Sequence, residues 1–171
     1  MSFLTRIFGG RRERAVLEPL YRAIVERGRD PYWYREGGVP DTLDGRFDML
    51  ASLLALVLLR MEQEGAPARR AGVLLTETFI DDMDGTVRQL GIGDHVVGKH
   101  VGRMMSALGG RLAAYREAAD EAGFAAAVRR NVFRDAPTPQ AAPELVARRL
   151  ARFRDALDRV PYAGLLEGRL P

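Results

Sequence analysis

The chain contains no cysteine, which excludes disulfides, thiolate metal sites and cysteine nucleophiles. Serine is almost as scarce. Ser2, Ser52 and Ser106 are the whole set, and none sits in the glycine-framed turn that a serine nucleophile needs. Of the 26 basic residues, Lys99 alone is lysine, a bias that codon usage explains more readily than a selected arginine surface. The two histidines, His95 and His100, are five apart, whereas a pair of helical metal ligands is spaced by four and needs a third donor nearby. "GIGDHVVGK" lacks the four-residue gap and the Lys-Ser/Thr ending of a phosphate loop.

A membrane-spanning run is also missing. The most apolar stretch, "FDMLASLLALVLL" at 47–59, would rise about 20 Å as a helix against a hydrocarbon core of roughly 30 Å, and Asp48 interrupts it. It is expected to be a buried core helix. The opening "MSFLTRIFGGRRER" has arginines after its few apolar residues and no cleavage pattern, so no signal peptide is expected and the cytoplasm is the default location.

What is present describes a globular chain. The 171 residues are 47% apolar and 29% charged, enough for one domain with a real hydrophobic core. The net charge of +3 is unevenly spread: residues 1–14 and 129–159 are arginine-rich, and the middle is mildly acidic. That is not a nucleic-acid-binding profile throughout. The pI of about 9.7 and an arginine face near the C-terminus nevertheless keep a nucleic-acid- or ribosome-associated helical protein as the rival reading.

Helical periodicity runs end to end, and no alternating strand pattern of useful length occurs. Val16, Leu17, Leu20 and Ile24 predict a helix over 12–29. Pro31 opens a short turn that Gly37, Gly38 and Pro40 break. Asp41 is the expected N-cap of a second helix, 42–64, ending at Gly65. Pro67 suits the first turn of a third, 68–90, with Val73, Ile80, Met83, Val87 and Leu90 as its apolar stripe and Gly91 as a left-handed cap. Asp94 is expected to cap a fourth helix built on Val97, Val101, Met104, Leu108, Leu112 and Tyr115. "GFAAAVRRNVFRD" predicts a shorter fifth. A last helix over 143–160 buries Val146, Leu150, Phe153 and Leu157 opposite Arg148, Arg152 and Arg159. The fold expected is all-α: a single-domain bundle of about six helices over 13–171, preceded by a tail at 1–12. Phe3, Leu4, Ile7 and Phe8, followed by Arg11, Arg12 and Arg14, give that tail the pattern of either a disordered segment or a peripheral membrane contact.

The densest polar feature is "FIDDMDGTVRQLGIGDHVVGKH", 79–100. Aligned as a calcium-binding loop with Gly85 at position 6, it places Asp82 and Asp84 correctly, but Ile80 and Gly91 stand where the first and last ligands belong. On a helix, Glu77, Asp81, Asp84 and Arg88 form one strip beside the apolar stripe, which favours a solvated or partner-facing surface over a metal cage. A hydrolase metal site using Asp81, Asp82, Asp84 and a histidine is the weaker alternative. Gly98, Gly102, Ser106, Gly109 and Ala113 make a strip of small side chains on the fourth helix. Each glycine costs about 1 kcal/mol relative to alanine, so close approach of another helix is expected, either inside the domain or from a partner. Tyr32, Trp33 and Tyr34 point in different directions if helical, and they read equally as a corner plug or as an aromatic anchor for a partner.

The blocks "GVPDTLDGRFDML" (38–50), "DDMDGTVRQLGIGDHVVGKHVGRM" (81–104), "GRLAAY" (110–115) and "RRNVF" (129–133) resemble, in order and spacing, the ubiquinol–cytochrome c chaperone family of mitochondria and alphaproteobacteria. The matching residues are Gly38, Val39, Pro40, Asp41, Thr42, Gly45, Arg46 and Phe47, then Asp82, Asp84, Gly91, Gly93, Asp94 and Lys99. Gly109 departs from the family pattern, which has a tyrosine there. The resemblance implies an all-α assembly factor for ubiquinol–cytochrome c reductase (complex III) of the respiratory chain, with no enzymatic activity and no cofactor. It also implies a membrane-protein client, which is cytochrome b in the mitochondrial relatives. A ribosome or a second assembly factor is a further conceivable partner. The residues expected to meet the client are Tyr32, Trp33, Tyr34, Glu77, Asp81, Asp82, Asp84, Arg88, Gly98 and Gly102.

Overall fold

A computed structural model describes residues 3–89, 94–135 and 138–171, with side chains described for 14–86, 101–135 and 138–171. Among them the chain is helical and has no strand. Six long helices, α1 (Phe3–Gly28), α3 (Leu43–Glu62), α4 (Ala66–Gln89), α5 (Asp94–Glu117), α6 (Glu121–Phe133) and α7 (Pro143–Leu157), are joined by two single-turn helices, α2 (Pro31–Arg35) and α8 (Tyr162–Leu166).

The apolar run becomes the axle of the bundle. From Asp48 through Leu58 every residue of α3 is buried, and α1, α4, α5, α6 and α7 all pack around it. A helix apolar on every side needs neighbours on every side. No helix among the described residues is long and apolar enough to cross a membrane.

Several boundaries differ from expectation. The backbone of α1 is helical from Phe3, through Gly9 and Gly10, rather than from residue 12; the side chains before Arg14 lie outside the described set. Thr42, not Asp41, caps α3, its Oγ1 accepting from Gly45 N at 3.2 Å. Asp41, one residue further out, instead accepts from Arg46 Nε at 2.6 Å, and that guanidinium holds its carboxyl below the usual range.

On α4 the expected stripe keeps Ile80 and Met83 against the core but loses Val73. Val73 is 58% exposed, while Leu74, Leu75, Phe79 and Ile80 are buried. α1 and α3 both pack on α4, and the side facing them carries Leu75 and Phe79, one turn apart; Val73 lies about 200° round the helix from Leu75. Val87, Arg88, Leu90, Gly91, Gly93, Val97, Gly98, Lys99, both histidines and the Asp94 cap fall outside the described residues or side chains.

Two features had no forerunner in the periodicity. α8 folds the C-terminal segment back onto α1. Arg60 of α3, buried despite its charge, donates to the carbonyls of Leu157 (3.2 Å) and Val160 (3.0 Å) and pairs with Glu64 at 2.6 Å. It thereby satisfies carbonyls that the end of α7 leaves open.

The segment 37–45 shows why its glycines are required. Gly38 has φ +64°, and a Cβ there would lie 2.5 Å from Gln140 O and 2.6 Å from Ala141 Cα. Gly45 faces the chain reversal directly, since a Cβ would lie 1.9 Å from Pro40 O. The loop before α3 is thus clamped between the start of α3 and the segment leading into α7, with Ala142 N donating to Gly37 O at 2.9 Å.

Candidate functional site

Among the described residues a groove of about 1020 Å³ opens between α4 and α5, floored by α3. Its surface is mainly apolar: Leu58 and Met61 from α3, Val73 and Ile80 from α4, Leu108 and Leu112 from α5. Two of its side chains are large, hydrophobic and strongly exposed, Val73 at 58% and Met105 at 46%. Gly72 and Gly109 keep the walls low; beyond Gly109 a Cβ would meet nothing within 4 Å. The internal-crossing reading of the small-residue strip therefore fails where it can be seen. Gly102, Ser106 and Gly109 are exposed, and among the described residues nothing packs within 4 Å above Gly102 or Gly109. α5 turns its Met104–Leu108–Tyr115 edge inward, which leaves the small residues facing outward.

The first two acids of the expected strip are tied to another helix. Glu77 and Asp81 stand on the groove's rim, where Arg14 of α1 reaches over and pairs with both, at 2.8 Å each. The like-charge repulsion expected between acids at i and i+4 is thus neutralised by a cation from another helix. Asp82 points elsewhere and accepts from Tyr21 Oη at 2.7 Å; burial and this acceptor push the Tyr21 phenol well above its ordinary value. Asp84 is half-buried. Among the described residues no three His, Cys, Asp or Glu side chains come together in a metal-holding group.

The three aromatics splay as their spacing requires. Trp33 is buried and donates from Nε1 to Arg27 O at 2.7 Å; half-buried Tyr34 donates to Gly28 O at 2.6 Å. Both plug the corner between α1 and α2. Tyr32 is half-buried, with the Arg149 guanidinium 4.0 Å above its ring centre.

One polar centre escaped the sequence reading. Asp48, 4% exposed near the start of the apolar run, binds Arg111 of α5 at 2.5 Å and Arg134 at 3.0 Å. Arg111 also donates to Asn131 O at 2.5 Å and Ala107 O at 2.9 Å. Arg134, the left-handed C-cap of α6 (φ 52°), reaches Asp44 at 2.9 Å. One turn on, Ser52 donates to Asp48 O and accepts from Tyr115 Oη. Burial pushes the Asp48 carboxyl up, and the two guanidinium groups oppose that shift. The network joins α3 to α5 and α6 behind the groove. The one signal for it in the sequence is an aspartate where the periodicity demands a hydrophobe.

A helical bundle with an open apolar groove, charges on its rim and its strongest polar cluster buried as structural glue is the architecture of a protein that binds other chains. The family assignment agrees. A family model described as "Ubiquinol-cytochrome C chaperone" matches residues 35–170, so the chain belongs to that family, whose members are assembly factors for ubiquinol–cytochrome c reductase rather than enzymes. The fold is similar to the crystal structure of the Cbp3 homolog from Brucella abortus: TM-score 0.78 and 28% identity, over 98% of this chain and 95% of that one. No curated protein matches the chain.

Proposed function

We propose that the α4–α5 groove takes an apolar helical segment of a newly made membrane protein, cytochrome b, and shields it until complex III is assembled. The observation that carries this reading is the exposure of Val73 and Met105 in a groove whose low glycine walls let another backbone approach closely. The rim supports it as well. Glu77 and Asp81 suit the basic residues that flank transmembrane helices on the cytoplasmic side, and Arg14 competes for them in the absence of client.

The test is co-purification of cytochrome b with the tagged chain from gently solubilised membranes. Val73→Lys combined with Met105→Lys places two ammonium groups in the groove without touching the core. The variant is expected to melt like the wild type and to lose cytochrome b by about tenfold or more, since desolvating an unpaired charge is costly. Retention of cytochrome b by the folded variant refutes the groove. Recovery of ribosomal or nucleic-acid components in place of cytochrome b moves the function to the rival reading of a basic binding protein.

Arg14→Ala separates the rim from the groove. The pairs it breaks are solvent-exposed, so it is expected to cost no more than about 1 kcal/mol while strengthening capture of clients with basic flanks. Equal capture by Arg14→Ala and wild type at low salt removes the rim from the mechanism.

A further inference from the structure

Away from the groove, the end of α1, α2 and the middle of α7 enclose a second concavity of about 610 Å³, which Arg27, Arg148, Arg149 and Arg152 line together with Tyr32 and Trp33. Arg149 is held in place. Its guanidinium lies 4.0 Å from the Tyr32 ring centre and 4.7 Å from that of Trp33, and Asp30 accepts from it at 2.6 Å. Among the described residues Asp30 is the one carboxylate that pairs with any of the four arginines. Arg27 makes a single long contact to Leu170 O at 3.4 Å. Arg148 and Arg152, a helical turn apart on the outer face of α7, are exposed. Like charges at i and i+4 repel, and here a third guanidinium sits at the intervening Arg149. Even counting a carboxylate at Pro171, which also lines the concavity, positive charge and unused N–H donors remain in excess.

We propose that this arginine pocket binds a phosphate group. Guanidinium forks match two oxygens of one anion, and stacking on Tyr32 and Trp33 fixes the orientation of Arg149 in advance. The site is a poor one for nucleic-acid bases. Trp33 is buried and Arg149 covers a face of Tyr32, so no free ring is offered for stacking. Two sources present the required chemistry: a soluble phosphate and the headgroup of an anionic phospholipid, which attracts clustered arginines at a membrane surface. The pocket and the groove share no lining residue, so both can be occupied at once, and this proposal does not rest on the client reading.

The full chain and Arg148→Glu/Arg152→Glu are compared in two assays at constant ionic strength: calorimetric titration with inorganic phosphate and with pyrophosphate, and sedimentation with vesicles of phosphatidylcholine alone or containing 30% phosphatidylglycerol, a fraction on the order of that in anionic membranes. Arg22→Glu/Arg129→Glu carries the same change in net charge at residues that do not line the concavity. At about fivefold per arginine, the pocket variant is expected to lose roughly thirtyfold in binding, while the control variant keeps it. A loss confined to vesicles assigns the phosphate to lipid, and a loss in the titrations assigns it to a soluble anion. No binding in either assay, or equal loss in both variants, overturns the proposal.

Discussion

Asp48→Ala is expected to lower the unfolding free energy by about 3–5 kcal/mol, because it leaves a buried guanidinium without its counter-charge. Arg111 is 3% exposed and pairs with no other carboxylate among the described residues; its remaining partners there are the carbonyls of Ala107 and Asn131. Arg134 loses one of its two acids and keeps Asp44. In a chain of this size the loss corresponds to a fall in Tm on the order of 10 °C. Replacing both charges, as in Asp48→Leu with Arg111→Met, is expected to recover most of the stability, since well-packed apolar side chains substitute for a buried ion pair at little or no cost. Thermal and urea unfolding of the two variants decide the matter. A loss below about 1 kcal/mol for Asp48→Ala would show that the pair is not what holds α5 and α6 to α3.

The second large effect belongs to the loop before α3. Gly45→Ala drives a methyl into Pro40 O, 1.9 Å from the ideal Cβ position, and no flexible side chain is there to give way. Either the Thr42 cap opens or the chain reversal shifts. Overpacking and loss of the cap together are expected to cost about 3 kcal/mol. Gly38→Ala combines a left-handed backbone with a 2.5 Å approach to Gln140 O and is expected to cost a similar amount. Gly85→Ala is the control. Its Cβ would meet nothing within 4 Å and it lies within a helix, so alanine there is expected to be neutral or stabilising by up to about 1 kcal/mol. Equal melting temperatures for all three variants would remove the steric account of this segment.

These glycines explain what the family blocks preserve. In "GVPDTLDGRFDML" the pattern was visible as a string of residues, but the reason for Gly38 and Gly45 is contact with Ala141 and Pro40. For Gly38 the neighbour lies about a hundred residues along the chain, where no local spacing reports it. Thr42 and Asp41 illustrate the same limit on a shorter scale. Both are good N-caps, and the choice between them was made by the loop geometry and by Arg46, which takes Asp41.

The acidic segment taught more. Spacing placed Glu77, Asp81 and Asp84 on one strip of α4, and the helix does form there. It could not foresee that Arg14 would cross from α1 to pair with two of its acids, or that Tyr21 would take Asp82. Val73 was assigned to the core on periodicity alone. A helix with apolar residues on two faces offers two stripes, and the neighbours decide which is buried.

The sequence by itself determined the helical class, the approximate extents of the six long helices, the fully buried character of α3 and the family. The helical features follow from short-range physics, side-chain periodicity with proline and glycine at helix ends; the family follows from the order and spacing of its sequence blocks. The tertiary structure alone decided where the groove opens, which charges stand on its rim, how Asp48 is neutralised and how the arginines of α7 gather around Tyr32. Those outcomes depend on pairs far apart in the chain, Asp48 with Arg111 and Asp30 with Arg149 among them, and a helix's own period fixes its apolar face but not its partners.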